Sequence, residues 1–448
     1  MHRTGLITAI AGGLIVSGAA MGAPAGTVLW AHPLGDSPMS KTAKVGPDGT
    51  IYLHAGDLFA INPDGSLKWR RTPPITDSVR DHGPVAIDAA GNVYVSTPRD
   101  LSSYDADGNL RWTFRDLGAT AQLAGPGVGP DGNVYQINHS GGGLGAFSLT
   151  SDGDLRWAME SPGFSDHGFA GHEIVFSGGN FYAALDDRGV RRATMDAISL
   201  DGEYEWGVFI NDSGEVVIAP DGDPVFSQNN VVYRYNADGS EQFAYGVGGA
   251  PSVPCLDDDG NTYFFTFKRF LYKLDPNGGL VMQRTYNNGW GVSGGSSQDI
   301  GGAIAPGGET MVIVADDIDR NPSTIRGIDI NSGDELWHVE LPVVPGTEYD
   351  YITSAFAGAV FSHDGTVAYV PVRNFFEGWL YAVQVVDTED SESLTGDLDG
   401  DGVVASSDLG MLLGSWGEAP GSVADLDGDG WVTSVDLALL LGSWGSSN

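Results

Sequence analysis

The chain has 448 residues, of which 59 are acidic and 22 basic, giving a net charge of −37; it carries 66 glycines, 23 prolines and one cysteine. That balance excludes nucleic acid and anionic membrane surfaces as partners, since both demand a basic footprint, and leaves cations as the natural ones. A single cysteine excludes a disulfide framework, a thiolate zinc site and a haem-attachment pair.

At the N-terminus, Met1, His2 and Arg3 form a short basic start, residues 5–20 are apolar and small, and Ala19 to Ala23 offers small residues for cleavage. This pattern predicts a secretory signal over residues 1–22. As a membrane span the run is short and softened by glycine, and no later apolar run is long enough to cross a bilayer. The mature protein is expected outside the cytoplasm, extracellular or at the cell surface, with the periplasm as the alternative compartment.

Residues 44–69, KVGPDGTIYLHAGDLFAINPDGSLKW, set a grammar that then recurs. Two Asp-Gly turns, at Asp48-Gly49 and Asp64-Gly65, separate short runs that alternate apolar and polar residues, as half-buried antiparallel strands do. Clear copies follow at 90–112, 131–157 and 178–206, and fainter ones at 221–243, 259–282, 307–337 and 364–370. Their starts lie about 40 to 57 residues apart, the period of a four-stranded propeller blade. The last copy lacks its final Gly-x-x-x-Trp strand, and Gly26 to Trp30 repeats that spacing near the N-terminus. The N-terminal strand is therefore expected to complete the last blade and remove exposed sheet edges. The expected fold is all-β, a propeller over residues 23–387 with eight blades, or seven if a faint unit is an insertion.

These units resemble the quinoprotein-like (PQQ-like) repeat family, whose blades end in a tryptophan-docking pattern; Asp329, Ser332, Gly333 and Trp337 give the closest match, and Asn62 to Trp69 a shorter variant. The tryptophans are expected to pack between blades with each indole N–H on a backbone carbonyl. The resemblance implies that the Asp-Gly turns gather on one face and the blade connections on the other, where a funnel can bind a ligand. Its candidate residues are Asp81, His82, Asp166, His167, Trp290, Tyr349 and Asp350, whose polar and aromatic side chains suit a metal or a polysaccharide. The quinoprotein dehydrogenases of this fold also carry a vicinal cysteine pair, calcium and a catalytic aspartate. Cys255 stands alone in an apolar strand, and no residue here matches that cofactor site, so pyrroloquinoline quinone is not expected.

Residues 388–396 are charged, small and without apolar periodicity, and read as a linker. Beyond it, over residues 397–448, two loops stand 28 residues apart. The first offers Asp397, Asp399, Asp401, the Val403 carbonyl and Asp408; the second offers Asp425, Asp427, Asp429, the Trp431 carbonyl, Thr433 and Asp436. Carboxylates at loop positions one, three, five and twelve, with glycine at six, are the ligand spacing of a calcium loop, so two calcium ions are expected. A short amphipathic helix follows each loop, with apolar stripes at Leu409, Leu412, Leu413 and Trp416 and at Leu437, Leu440, Leu441 and Trp444. Stripes on helices this short are expected to bury against each other in one small α domain.

Two loop–helix copies with aspartate at position twelve look like a type I dockerin. The resemblance implies that Ser406 and Ser407, with Ser434 and Val435, read an extracellular protein partner, a cohesin or another protein. Position nine is Ala405 in the first loop and Thr433 in the second, so the first site is expected to be weaker. The whole chain reads as a secreted, non-catalytic propeller tethered through its calcium-ordered module. The rival expectation is an extracellular enzyme, either a polysaccharide hydrolase or lyase or a quinone-dependent oxidoreductase.

Overall fold

A computed structural model describes residues 4–5, 23–35, 43–73, 84–97, 100–115, 125–137, 144–160, 173–187, 192–210, 215–266, 269–286, 290–292, 302–317, 324–341, 358–373, 378–387, 396, 398, 404–418, 422–427 and 430–445. They fall into two compact units, one built on Gly26–Val386 and one on Asp387–Asn448.

The larger unit is an eight-bladed propeller. Blades 1 to 7 take their four strands in chain order from residues 44–71, 86–115, 127–160, 175–210, 216–246, 255–285 and 303–340. Blade 8 combines Val360–Phe361, Val367–Arg373 and Gly378–Gln384 with the N-terminal strand Val28–Gly35, which pairs antiparallel from Val28 opposite Val383 to Gly35 opposite Gly378. The ring closes as the Gly26 to Trp30 spacing predicts. Trp290–Val292 and Thr4–Gly5 add short strands to blade 7. The rest of the predicted signal lies outside the described residues.

The turn aspartates set the hairpins. Asp88 accepts the backbone N–H groups of Ala90 and Asn92, the Asn92 amide and the Tyr94 hydroxyl, and Asp257 repeats the set with Asp259, Asn261 and Tyr263. Each such Asx turn replaces solvent hydrogen bonds with fixed local ones. At the outer strand every blade shifts register by one residue, for example between Leu110 and Trp112 in blade 2 and between Val28 and Trp30 in blade 8. This bulge leaves Leu67, Leu110 and Leu155 about half exposed, while Lys68 donates to Asp48 in its own blade's first turn and Arg111 and Arg156 donate to the hydroxyls of Tyr94 and Tyr135 on the second strand of theirs.

The core lies in the seams between blades. In six of them a tryptophan of one blade's outer strand packs beneath a glycine of the next blade. Trp30, Trp69, Trp112, Trp157, Trp206 and Trp337 donate their indole N–H to the carbonyls of Pro63, Ala106, Ser151, Leu200, Ala237 and Val385 at 2.8 to 3.0 Å. A Cβ on Gly65 would stand 2.7 Å from the Trp30 ring, and φ there is +84°, so only glycine meets both demands. The two seams of blade 6 differ. Phe243 takes the ring position over Gly278, and Met282 with Arg284 meets Gly333, where the Tyr286 hydroxyl donates to the Gly333 carbonyl at 2.7 Å.

Cys255, on the innermost strand of blade 6, is partly buried; burial and then the nearby Asp257 push its thiol up to about 12, so it is protonated at neutral pH. Truncating the buried Trp30 (Trp30→Ala) is expected to cost about 3 to 5 kcal/mol in chemical denaturation. Because among the described residues no indole ties blade 6 to either neighbour, its strands should exchange amide hydrogens faster than those of blades 1 to 3, measured by mass spectrometry.

The turn carboxylates also set the acid limit of the propeller. Burial would raise the Asp48 carboxyl, but hydrogen bonds from Lys68 and Thr50 outweigh it and hold it at about 2. Burial is likewise outweighed at Asp88, Asp105 and Asp131 by bonds from Asn92, Asn109 and Asn133. A depressed folded-state value contributes stability above the unfolded carboxylate value of about 4, and that contribution is lost as pH falls through the folded value. The denaturation midpoint is therefore expected to fall steadily from about pH 4 toward about pH 2. A midpoint constant over that window would show that the turn bonds carry no stability.

Candidate calcium centre

The smaller unit holds helices Ser406–Gly414 and Ser434–Gly442, which face one another across a core of Val404, Leu412, Ala424, Val432 and Leu440. The two copies interlock. Val432, just after the second loop's carbonyl position, pairs with Gly417 beyond the first helix, and the Val404 carbonyl accepts from the Gly445 N–H beyond the second helix at 2.9 Å. Gly417 and Gly445 have φ of +116° and +77°. The recurring Gly-Ser-Trp-Gly ending was visible in the sequence; its reason is this exchange, in which each copy closes the other's loop.

The expected apolar stripes are corrected by the structure. Leu412 and Leu440 are fully buried and Leu409 and Leu437 partly so, but Leu413, Trp416, Leu441 and Trp444 are about half exposed. The helices end at Gly414 and Gly442, so Trp416 and Trp444 lie past the caps at Ser415 and Ser443 and no longer follow the helical phase. Leu413 and Leu441 sit about 100° round the axis from their buried neighbours.

In the second loop, ligand atoms of Asp425, Asp427 and Asp436 lie within 4.8 Å of one another. Asp436 is fully buried and accepts the N–H groups of Leu426 at 2.7 Å, Asp427 at 3.2 Å and Thr433 at 2.7 Å. Burial pushes its carboxyl up, but these backbone bonds outweigh it and hold it below its ordinary value. Asp425 Oδ2 accepts from the Gly430 N–H at 2.8 Å, while Oδ1 is buried with no hydrogen-bond partner. A buried carboxylate oxygen left without a donor is costly. A hard divalent cation among three converging carboxylates removes that cost, so these residues fit calcium. Thr433 Oγ1 caps the second helix by accepting from the Val435 N–H at 3.2 Å.

In the first loop Asp408 is equally buried and accepts from Leu398 and Ala405 at 2.7 Å, as Asp436 does from Leu426 and Thr433. Asp397, Asp399, Asp401 and Val403 lie outside the described residues, as does Asp429 of the second loop. Trp431 lies on the short strand Trp431–Val432 with its side chain about half exposed. Ser406, Ser407, Ser434 and Val435 are all exposed on the first turns of the two helices. Of the funnel candidates, only the backbone of Trp290 is described, opposite Asp317; Asp81, His82, Asp166, His167, Tyr349 and Asp350 are not among the described residues.

Residues 395–441 match the family described as dockerin type I domain, and residues 18–236 match the family described as outer membrane protein assembly factor BamB. The chain carries a PQQ-like repeat domain and a type I dockerin domain. Among solved structures, BamB from Moraxella catarrhalis is 13% identical, with 79% of this chain and 99% of that chain covered and a TM-score of 0.53. The C-terminal WD40 domain of Sif2 is 10% identical, with 78% and 97% covered and a TM-score of 0.57. At these identities the likeness is one of fold. No curated protein matches the chain. A dockerin domain implies calcium binding, and dockerin domains as a class bind cohesins, which supports an extracellular protein partner here; among the described residues no helix is long and apolar enough to cross a membrane.

Asp425→Asn is expected to lower the calcium stoichiometry measured by calorimetry by one ion. Chelation should reduce the far-UV helical signal of the dockerin unit while leaving the propeller's unfolding transition in place. An unchanged stoichiometry and helical signal would remove the metal from this loop.

Proposed function

We propose that the protein is a secreted, non-catalytic binding propeller held to an extracellular cohesin-bearing partner by its dockerin unit, with one calcium ion in each loop. The observation that carries this reading is the second loop, where three carboxylates converge and a buried Asp425 oxygen has no donor. The matching backbone bonds of Asp408 and Asp436 extend it to the first loop. In this reading residues 1–22 are removed on export, residues 388–396 link the two domains, and Ser406, Ser407, Ser434 and Val435 contact the partner. Calcium orders the loops, and so fixes the first turns on which those four residues stand. The propeller presents its binding surface without a quinone cofactor.

Immobilised cohesin modules should retain the purified protein in calcium and release it on chelation, and Asp425→Asn should weaken retention. Retention that ignores chelator, or none across a broad cohesin panel, would overturn the tethering role. N-terminal sequencing of the exported protein tests the cleavage after residue 22 separately.

A further inference from the structure

The innermost strand of each propeller blade has a position that pairs with the same residue of the second strand, as Lys44 pairs with Tyr52, Ala86 with Tyr94 and Gly127 with Tyr135. By this register the other seven blades place Ala, Gly, Val or Cys there, and blade 1 alone places a lysine. A long cation where the repeat asks for a small or apolar residue breaks a local rule, which structural need elsewhere in the ring does not require.

The Lys44 ammonium donates to Glu173 Oε2 at 2.6 Å, joining the innermost strand of blade 1 to the entry of blade 4. Beside the pair lies a cavity of about 240 Å³ between the innermost strands of blades 1 to 4, with Pro84, Pro126, Val128, Ile174 and Phe176 among its apolar walls. The side chains of Lys44 and Glu173 keep 36% and 24% exposure, so solutes reach the pair. Glu173 Oε1 is buried and has no hydrogen-bond partner. The ammonium has three donors and the carboxylate two acceptor oxygens, so the ion pair leaves capacity of both signs at the cavity wall.

We propose that this channel cavity binds a small zwitterion with an apolar body, the class of the apolar α-amino acids. The ligand carboxylate pairs with the Lys44 ammonium. Its ammonium takes whichever Glu173 oxygen Lys44 leaves, and its side chain packs on Pro84, Pro126, Ile174 and Phe176. A lone cation or anion would satisfy one partner and strand the other. A sugar would bring several hydroxyls to a wall whose only polar side chains are those of Lys44 and Glu173, where unpaired hydroxyls are penalised. The cavity is smaller than the range of about 300 to 1,000 Å³ usual for drug-sized ligands, which favours a single amino acid over a larger solute. The inference goes beyond the tethering role and does not depend on it, since calcium-dependent capture can hold while the channel stays empty.

The test is calorimetric titration of the full chain with L-leucine and L-phenylalanine, compared with isocaproate, which lacks the ammonium, and isoamylamine, which lacks the carboxylate. At least one amino acid should bind, and the two truncated analogues should bind about tenfold or more weakly, as expected for the loss of a charged hydrogen bond. Lys44→Met and Glu173→Gln should each weaken binding by a similar factor with the propeller's unfolding midpoint retained. If either variant fails to fold, Val128→Phe, which adds bulk to the cavity lining and keeps both charges, should abolish binding. No binding of either amino acid, analogues that bind as tightly, or full affinity in Val128→Phe would overturn the proposal.

Discussion

The ring depends on one repeated contact, a tryptophan of one blade lying under a glycine of the next with its indole N–H on a backbone carbonyl. The contact joins two requirements in a single glycine. The tight turn needs a positive φ, and the approaching indole leaves no room for a Cβ. A mutation at such a glycine therefore strains a hairpin and opens a seam together. The indole buries a large apolar surface while its one polar atom stays paired, so the seam gains from both. Where the indole is replaced, around blade 6, the chain substitutes other polar ties: Arg234 reaches the Pro276 carbonyl and pairs with Asp221, and Tyr286 reaches the Gly333 carbonyl.

The acidity of the chain follows from the same turn chemistry. Aspartates such as Asp48, Asp88 and Asp105 bind backbone and side-chain donors of their own hairpins, and the outer-strand bulge sends Lys68, Arg111 and Arg156 toward turns of this kind. These turn aspartates are thus structural, fixed where the fold needs acceptors. Lys44 stands apart from this pattern because it sits on an innermost strand and meets a glutamate from another blade.

The dockerin unit solves a different problem, that of a small domain with two nine-residue helices and little apolar surface. Among the described residues its core is five buried side chains with four partly buried leucines against them, so packing alone supplies limited stability. The exchange of Gly417 and Gly445 between copies ties the two loops into one structure, and convergent carboxylates couple that structure to a cation. The exposed Leu413, Trp416, Leu441 and Trp444 are apolar surface that this core does not cover.

The sequence by itself determined the repeat, the turns, the N-terminal closing strand and the calcium-loop spacing. Each is a local pattern: Asp-Gly needs a turn, alternation needs a half-buried strand, and a Gly-x-x-x-Trp run without a blade needs a blade without that strand. It also marked the aspartates of both loops, because ligand spacing within twelve residues is fixed by the chain. It overextended the apolar stripes, since periodicity carries no information about where a helix ends in a Gly-Ser pair. What only the tertiary structure decided was which distant groups meet: the glycine under each indole, the crossing of Gly417 and Gly445 between copies, the unpaired Asp425 oxygen, and the ion pair of Lys44 with Glu173. These meetings join residues tens to hundreds of positions apart, and their geometry is set by ring closure and side-chain packing, which no local spacing encodes.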